Sequence, residues 1–187
     1  MEPIRPVEVD AGAVRLRPWR ADDVDVVWAA LQDPDIRRWN SGGVTSREDA
    51  VALLGRRSDW SSGEHASWAV VDPAGTVLGS VSLHSIDRAQ NDAEIGYWTT
   101  PAARGQGVAA RAVDAACRWG FGALPIDRIE LCHAVENPAS GRVAEKAGFT
   151  FEGHLRRSYR YGDGRKHDEL LWARLADDSP PRLSTRS

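Results

Sequence analysis

Arg104-Gly105-Gln106-Gly107-Val108-Ala109 is the stretch from which the rest of the chain can be read. Before it, Ala93-Glu94-Ile95-Gly96-Tyr97-Trp98-Thr99-Thr100 has the aromatic and β-branched content of a strand. After it, small and apolar residues recur at helical spacing to Phe121. A strand that leads through a glycine-rich turn into a helix leaves the first N–H groups of that helix without partners. Those donors and the positive end of the helix dipole make a site for a phosphate or pyrophosphate. Gly105 and Gly107 suit such a site because a Cβ would hold the ligand off the backbone, whereas Gln106 and Val108 need only point outward. The same turn can also be plain helix punctuation. As Gly105-x-Gly107-x-x-Ala110 it further fits a dinucleotide-binding oxidoreductase. Against that third reading, Pro101-Ala102-Ala103 separates the turn from its strand, and too few β-α units follow Glu136 for a doubly wound sheet.

Outward from this turn the chain alternates strands and helices. Residues 1–12 mix Pro, Glu and Asp without periodicity and read as a loose N-terminus. Val14-Arg15-Leu16-Arg17 alternates like a half-buried strand. Val24, Val27, Trp28 and Leu31 form an apolar helical stripe over Ala21–Gln32, which Asp33-Pro34 is expected to stop. Thr45-x-x-Glu48 has capping-box spacing and opens a second helix. A hairpin follows from Trp68 to His84, then a polar loop over 87–92 and the strand at 93–100. Residues 128–134 form the next strand. Asn137, Pro138 and Gly148 bracket a short helix as N-cap, N1 and C′. A last hairpin turns at Gly162-Asp163-Gly164, and residues 176–187 read as a disordered tail. The order β-α-α-β-β-β-α-β-α-β-β predicts one α+β domain over residues 13–175.

Composition narrows the function. The 187 residues are 42% hydrophobic and 27% charged, with a net charge of −3, so bulk electrostatics favour neither nucleic acid nor membrane. No apolar run approaches the ~20 residues of a membrane-spanning helix, and no signal peptide precedes Val14, so a soluble, cytoplasmic protein is expected. Cys117 and Cys132 read as reduced core residues, and the five histidines lack metal-ligand spacing, so no metal is expected. Arg156, Arg157, Arg160, Arg165 and Lys166, interleaved with Tyr159 and Tyr161, form either an RNA-contacting strand or the charged edge of a hairpin.

Arg104-x-x-Gly107-x-Ala109 resembles the Arg/Gln-x-x-Gly-x-Gly/Ala signature of the GNAT N-acetyltransferases. The resemblance continues through Ala93–Trp98, Glu136-Asn137-Pro138-Ala139-Ser140 and Glu145-Lys146-Ala147-Gly148-Phe149, and runs from Val14 to Leu175. It is strongest to the RimJ/RimL-like branch, which acetylates N-terminal amines of ribosomal proteins. It implies a mixed, mostly antiparallel central sheet flanked by helices, in which the strand at 93–100 bulges and splays from that at 128–134. It also implies acetyl-CoA as cosubstrate. Arg104, Gly105, Gln106, Gly107, Val108 and Ala109 would hold its pyrophosphate, and the backbone of Trp98, Thr99 and Thr100 its pantetheine arm. Asn137 and Ser140 would also contact the coenzyme. The implied partner is an amine acceptor such as a protein N-terminus, and a homodimer is left open.

Direct attack on a thioester needs an uncharged amine, so a base is required. Glu94 is the candidate: it shares strand parity with Gly96 and Trp98, and it matches the glutamate used by histone-acetylating members of the superfamily. It can equally be a solvated strand residue paired with arginine. The superfamily's tyrosine acid falls at Ala144 and is absent. The branch implies Ser140 instead, as a hydroxyl that protonates or hydrogen-bonds the leaving sulfur. A glutamate found on the strand after Gly148-Phe149 in some branch members is replaced near Tyr159. An inactive coenzyme A-binding domain is the competing non-enzymatic reading. Small amines and antibiotics are the competing acceptors.

Overall fold

The computed structural model describes residues 2–40, 43–181 and 183. In chain order the elements are β1 (Val9–Asp10), β2 (Arg15–Pro18), α1 (Val24–Ala30), α2 (Pro34–Trp39), α3 (Arg47–Ser58), β3 (Ala66–Val71), β4 (Val77–Asp87), β5 (Asp92–Thr99), α4 (Val108–Ala123), β6 (Arg128–Ala134), α5 (Pro138–Lys146), β7 (Thr150–Arg160) and β8 (Lys166–Leu175). The strands form one sheet in the order β1-β2-β3-β4-β5-β6-β8-β7. All neighbours are antiparallel except β5 and β6.

That one parallel pairing is short. Asp92, Ala93 and Glu94 face Arg128, Ile129 and Glu130, and the two strands then part. Each keeps its other neighbour: β5 stays in register with β4 from Glu94 to Thr99, and β6 with β8 along its whole length. The mostly antiparallel, splayed sheet is therefore as expected. A bulge at Gly96 is not found, since the β4–β5 register shifts only between His84 and Asp87. Gly96 makes room instead: a Cβ there would lie 3.3 Å from His84 Nε2.

Both faces of the sheet are covered. On one face, Trp68, Val81, Leu83, Ile129 and Leu131 pack with Val113 and Ala116 of α4. Trp60, Trp68 and Trp119 meet there edge-to-face, with centroids 4.9 to 6.2 Å apart. α4 lies close to the sheet because its inner face is small, and a Cβ on Gly120 would come within 2.8 Å of Leu83 Cδ1. On the other face, Trp19, Val27, Ile36, Leu54 and Trp98 pack together under α1, α2 and α3. β3 lies beneath both layers, and all six of its residues are buried.

Four sequence expectations need correction. The expected loose N-terminus is anchored over its described residues, 2–12: β1 extends the sheet, Ile4 is buried, and Trp68 Nε1 donates to the Val7 carbonyl at 2.9 Å. Asp33-Pro34 begins a helix as well as ending one. The Asp33 carboxylate accepts the Ile36 N–H at 3.0 Å with Pro34 in the first turn, so α2 follows directly on the expected stop. The capping box is Ser46 with Asp49, one residue beyond the expected pair. The tail turns back at first, where the Ala176 N–H donates to the Asp127 carbonyl at 2.9 Å. Its residues 182 and 184–187 lie outside the described part. The basic Arg156–Lys166 hairpin forms the sheet's outer edge, where β7 is largely exposed.

Candidate active site

The splay of β5 from β6 opens a cleft of 460 Å³ that runs past the N-terminus of α4. Gly105 and Gly107 there have φ of +75° and +77°, a conformation open to glycine at little cost. A Cβ on either would meet no protein atom within 4 Å, so the space beside them is open. The first helical bond of α4 runs from the Arg111 N–H to the Gly107 carbonyl at 3.2 Å. The N–H groups at the start of α4 thus have no acceptor within the helix. This is a cradle for an anion, and it fits the diphosphate of a coenzyme.

The expected cradle residues divide. Gly105, Gly107, Val108 and Ala109 line the cleft. Val108, expected to point outward, is buried in the core. Gln106 folds back, its amide donating to the Ala102 carbonyl at 2.6 Å. Arg104 lines the cleft but is committed to α2, through Asp33 at 2.5 Å and Asp35 at 3.2 Å. Burial works against the charge of Asp33, but the Ile36 N–H and the Arg104 guanidinium hold its carboxyl below the usual range. Arg142 and Lys146, one turn apart on α5, bring positive charge to the cleft. Their spacing was visible in the sequence, but nothing there tied them to the glycine turn.

Along β5 the backbone is arranged by its ladder with β4. Thr100 donates its N–H to the Leu78 carbonyl at 2.9 Å. Antiparallel bonds alternate, so Trp98 also turns toward β4 while Tyr97 and Thr99 present their amides to the cleft. The Trp98 side chain lies on the far face against Trp19, ring centroids 6.3 Å apart. The donors available to a thioester carbonyl are therefore those of the residues flanking Trp98.

Asn137 lines the cleft, and its side chain makes no capping bond with α5. Ser140 is buried, with its Oγ 2.7 Å from the Tyr97 hydroxyl. Burial pushes the Tyr97 phenol up to about 12, so it stays protonated at neutral pH, and either hydroxyl of the pair can be the donor. Sequence reading missed Tyr97, because no local signal links a strand tyrosine to a helix formed over forty residues later. Ala144 is fully buried in the core, and a tyrosine there has no space.

A second cavity of 320 Å³ lies on the α1–α3 side and shares Ile95, Gly96, Tyr97, Trp98, Cys132 and Tyr161 with the first. Cys132 is exposed, not part of the core as expected, while Cys117 is buried, and both are free thiols. Glu94 lines this second cavity with its side chain half exposed, and its Oε2 lies 3.9 Å from His84 Nδ1. Burial pushes His84 down, against the pull of Glu94 and helped by the charge of Arg57, so the imidazole is neutral at pH 7. Glu169, which the sequence gave no reason to single out, is buried here and accepts hydrogen bonds from Tyr161 Oη at 2.8 Å and Ser158 Oγ at 2.7 Å. No group of three or more potential ligands capable of holding a metal occurs among the described residues. Nor does any described helix have the length and apolarity to cross a membrane.

A sheet split beside an open helix N-terminus, with a second cavity meeting the split midway, defines a domain that brings an extended anionic carrier against another reactant. The chain belongs to the acetyltransferase (GNAT) domain family, which it matches over residues 13–150. It is 36% identical over 105 residues to YdaF of Bacillus subtilis, which is named for ribosomal N-acetylation, covering 54% of this chain and 55% of that protein. It is 31% identical over 102 residues to the ribosomal-protein-serine acetyltransferase of Escherichia coli, covering 54% and 56%. The matches thus span about half the length of these two relatives. Among solved structures, Mycobacterium smegmatis RimJ in complex with CoA-disulfide superposes with a TM-score of 0.84 at 28% identity, covering 95% of this chain and 91% of that one.

Proposed function

We propose that this chain moves an acetyl group from acetyl-CoA to a primary amine by direct attack, and that the amine is the N-terminal α-amine of a polypeptide such as a ribosomal protein. The carrying observation is the parting of β5 from β6 immediately after Glu94 and Glu130, which joins the anion-cradling cleft to the second cavity. Acetyl-CoA supplies the activated acyl group as a thioester. The backbone N–H groups after Gly107 hold the diphosphate, with Arg142 and Lys146 adding charge. The Tyr97 and Thr99 amides face the developing oxyanion. Glu94, lining the cavity through which the amine arrives, takes its proton through water. Ser140, backed by Tyr97, donates to the departing sulfur.

An α-amine suits this machinery. Its pKa of ~8, against ~10.4 for lysine, leaves more neutral nucleophile at pH 7 and asks less of a half-exposed carboxylate. The names of the two relatives point to the same acceptor class. Thiol release measured with matched peptides tests it. Peptides with free N-termini should react, and the same peptides blocked at the N-terminus but carrying lysine should not. Faster reaction of the blocked lysine peptides, or of a polyamine or aminoglycoside, would overturn the α-amine assignment while leaving acetyl transfer in place.

Ser140→Ala should lower kcat by about tenfold with little change in KM. The loss stays modest because a thiol of pKa near ~8.5 departs largely unaided. Stopped-flow release of coenzyme A checks this, and a loss of more than a thousandfold would give the hydroxyl a larger part than sulfur protonation.

A further inference from the structure

Besides Glu94, the second cavity is lined by two charged side chains, Arg57 and Glu169, for which no ion-pair partner is found among the described residues. Arg57, in the last turn of α3, reaches the cavity and donates to Ser80 Oγ at 2.9 Å. No carboxylate among the described residues pairs with it, and the neighbouring charge of Arg56 acts against it. Glu169, on β8, accepts hydrogen bonds from the hydroxyls of Tyr161 and Ser158, and among the described residues no cationic side chain forms an ion pair with it. Enclosing a charge without its opposite is costly, and a ligand that supplies the opposite recovers that cost.

The fold sets the distance between the two. Ser80 lies on β4 and Glu169 on β8, with β5 and β6 between them. Three inter-strand steps put their backbones ~14 Å apart, and the splay adds to that. Glu169 borders the coenzyme cleft through Tyr161, which it holds and which lines both cavities. Tyr161, edge-to-face with Trp39, walls the cavity beside Glu169. His84, kept neutral, and Glu94 line the cavity as well, with Glu94 Oε2 3.9 Å from His84 Nδ1.

We propose that the acceptor is an amine that also bears an acidic group, with Glu169 receiving its ammonium and the Arg57 guanidinium its carboxylate. For a polypeptide in extended form, at ~3.3 Å per residue, one or two backbone steps together with the reach of the side chains at both ends span this distance, so the acid falls at the second or third position. The inference rests on the second cavity being the acceptor site, and it narrows which acceptors enter. Arg57 is then a specificity determinant and Glu169 a binding residue. Glu94 keeps the role of proton acceptor.

The test uses the full chain and matched tripeptides with free N-termini that carry either glutamate or glutamine at position two or three. Wild type should favour the glutamate peptide in kcat/KM by about tenfold or more, the worth of one charge-assisted bond. Arg57→Met should erase the preference by slowing only the glutamate peptide, and Arg57→Lys should keep part of it. An unchanged melting temperature and unchanged coenzyme A affinity certify that the Arg57 variants are folded. Glu169→Gln should raise KM for both peptides alike. Equal rates for the two peptides in wild type, or a preference that survives in Arg57→Met, would overturn the proposal. Quenching of Trp39 and Trp98 fluorescence by the same peptides, with coenzyme A present, separates this proposal from the reading beneath it. Arg57-dependent binding of the glutamate peptide without any acetylation supports the acidic-acceptor site and removes the transfer reading. Indifferent binding removes the acidic-acceptor site.

Discussion

Gly107→Val is expected to abolish measurable coenzyme A binding while the protein stays folded. The φ of +77° at this position and the empty space around an added Cβ set the two halves of that expectation. An added Cβ meets no protein atom within 4 Å, so the branched side chain grows into the space where a ligand oxygen would be held within ~3 Å of backbone N–H groups. Strain from a β-branched residue at positive φ costs about 1–3 kcal/mol, enough to lower the melting temperature but not to unfold the domain. Gly107→Asn separates the two effects, because asparagine accepts this backbone conformation more readily. It should restore most of the stability and little of the affinity. Calorimetric titration with coenzyme A is the measurement, and unchanged affinity in the valine variant would remove the cradle from the site.

Turnover should fall roughly 10²-fold or more in Glu94→Gln at neutral pH. Glutamine keeps the shape of the side chain and part of its hydrogen bonding, but it cannot take a proton. The deficit should narrow as pH rises through ~8, where an α-amine is increasingly neutral without help. His84→Gln removes the neighbour 3.9 Å away and should cost less, since that imidazole is pushed toward its neutral form by burial. A deficit in Glu94→Gln of equal size at every pH would make Glu94 a structural residue of the strand.

Much of this was legible in the sequence because the decisive signals are local. A glycine pair before a helical stripe, Asn137-Pro138 before another, and alternation in the strands all report on backbone geometry within a few residues. What escaped depends on distant partners. Val9–Asp10 carries no periodicity, because β1 is held by two strand pairings and a few single apolar contacts. Asp33-Pro34 is both a stop and a start, and only the bond from the Ile36 N–H tells which helix it opens. Strand parity put Glu94, Gly96 and Trp98 on one face, as they are, but it could not reveal that Arg104 faces Asp33 and Asp35. Nor could it reveal that Ser140 meets Tyr97, or that a carboxylate on β8 lines the second cavity. Those pairings arise from the sheet order, in which β8 lies between β6 and β7, against chain order.

The three-residue contact between β5 and β6 also gives the protein a built-in reporter. The amides of Tyr97 and Thr99 have no strand opposite them on the cleft side, whereas their neighbours Trp98 and Thr100 turn to β4. In deuterated water the free protein should therefore show alternating protection along a single strand, slow at Trp98 and Thr100 and fast at Tyr97 and Thr99. Coenzyme A should slow the fast pair while leaving the slow pair where it was. One strand would then read, residue by residue, whether its missing neighbour has arrived.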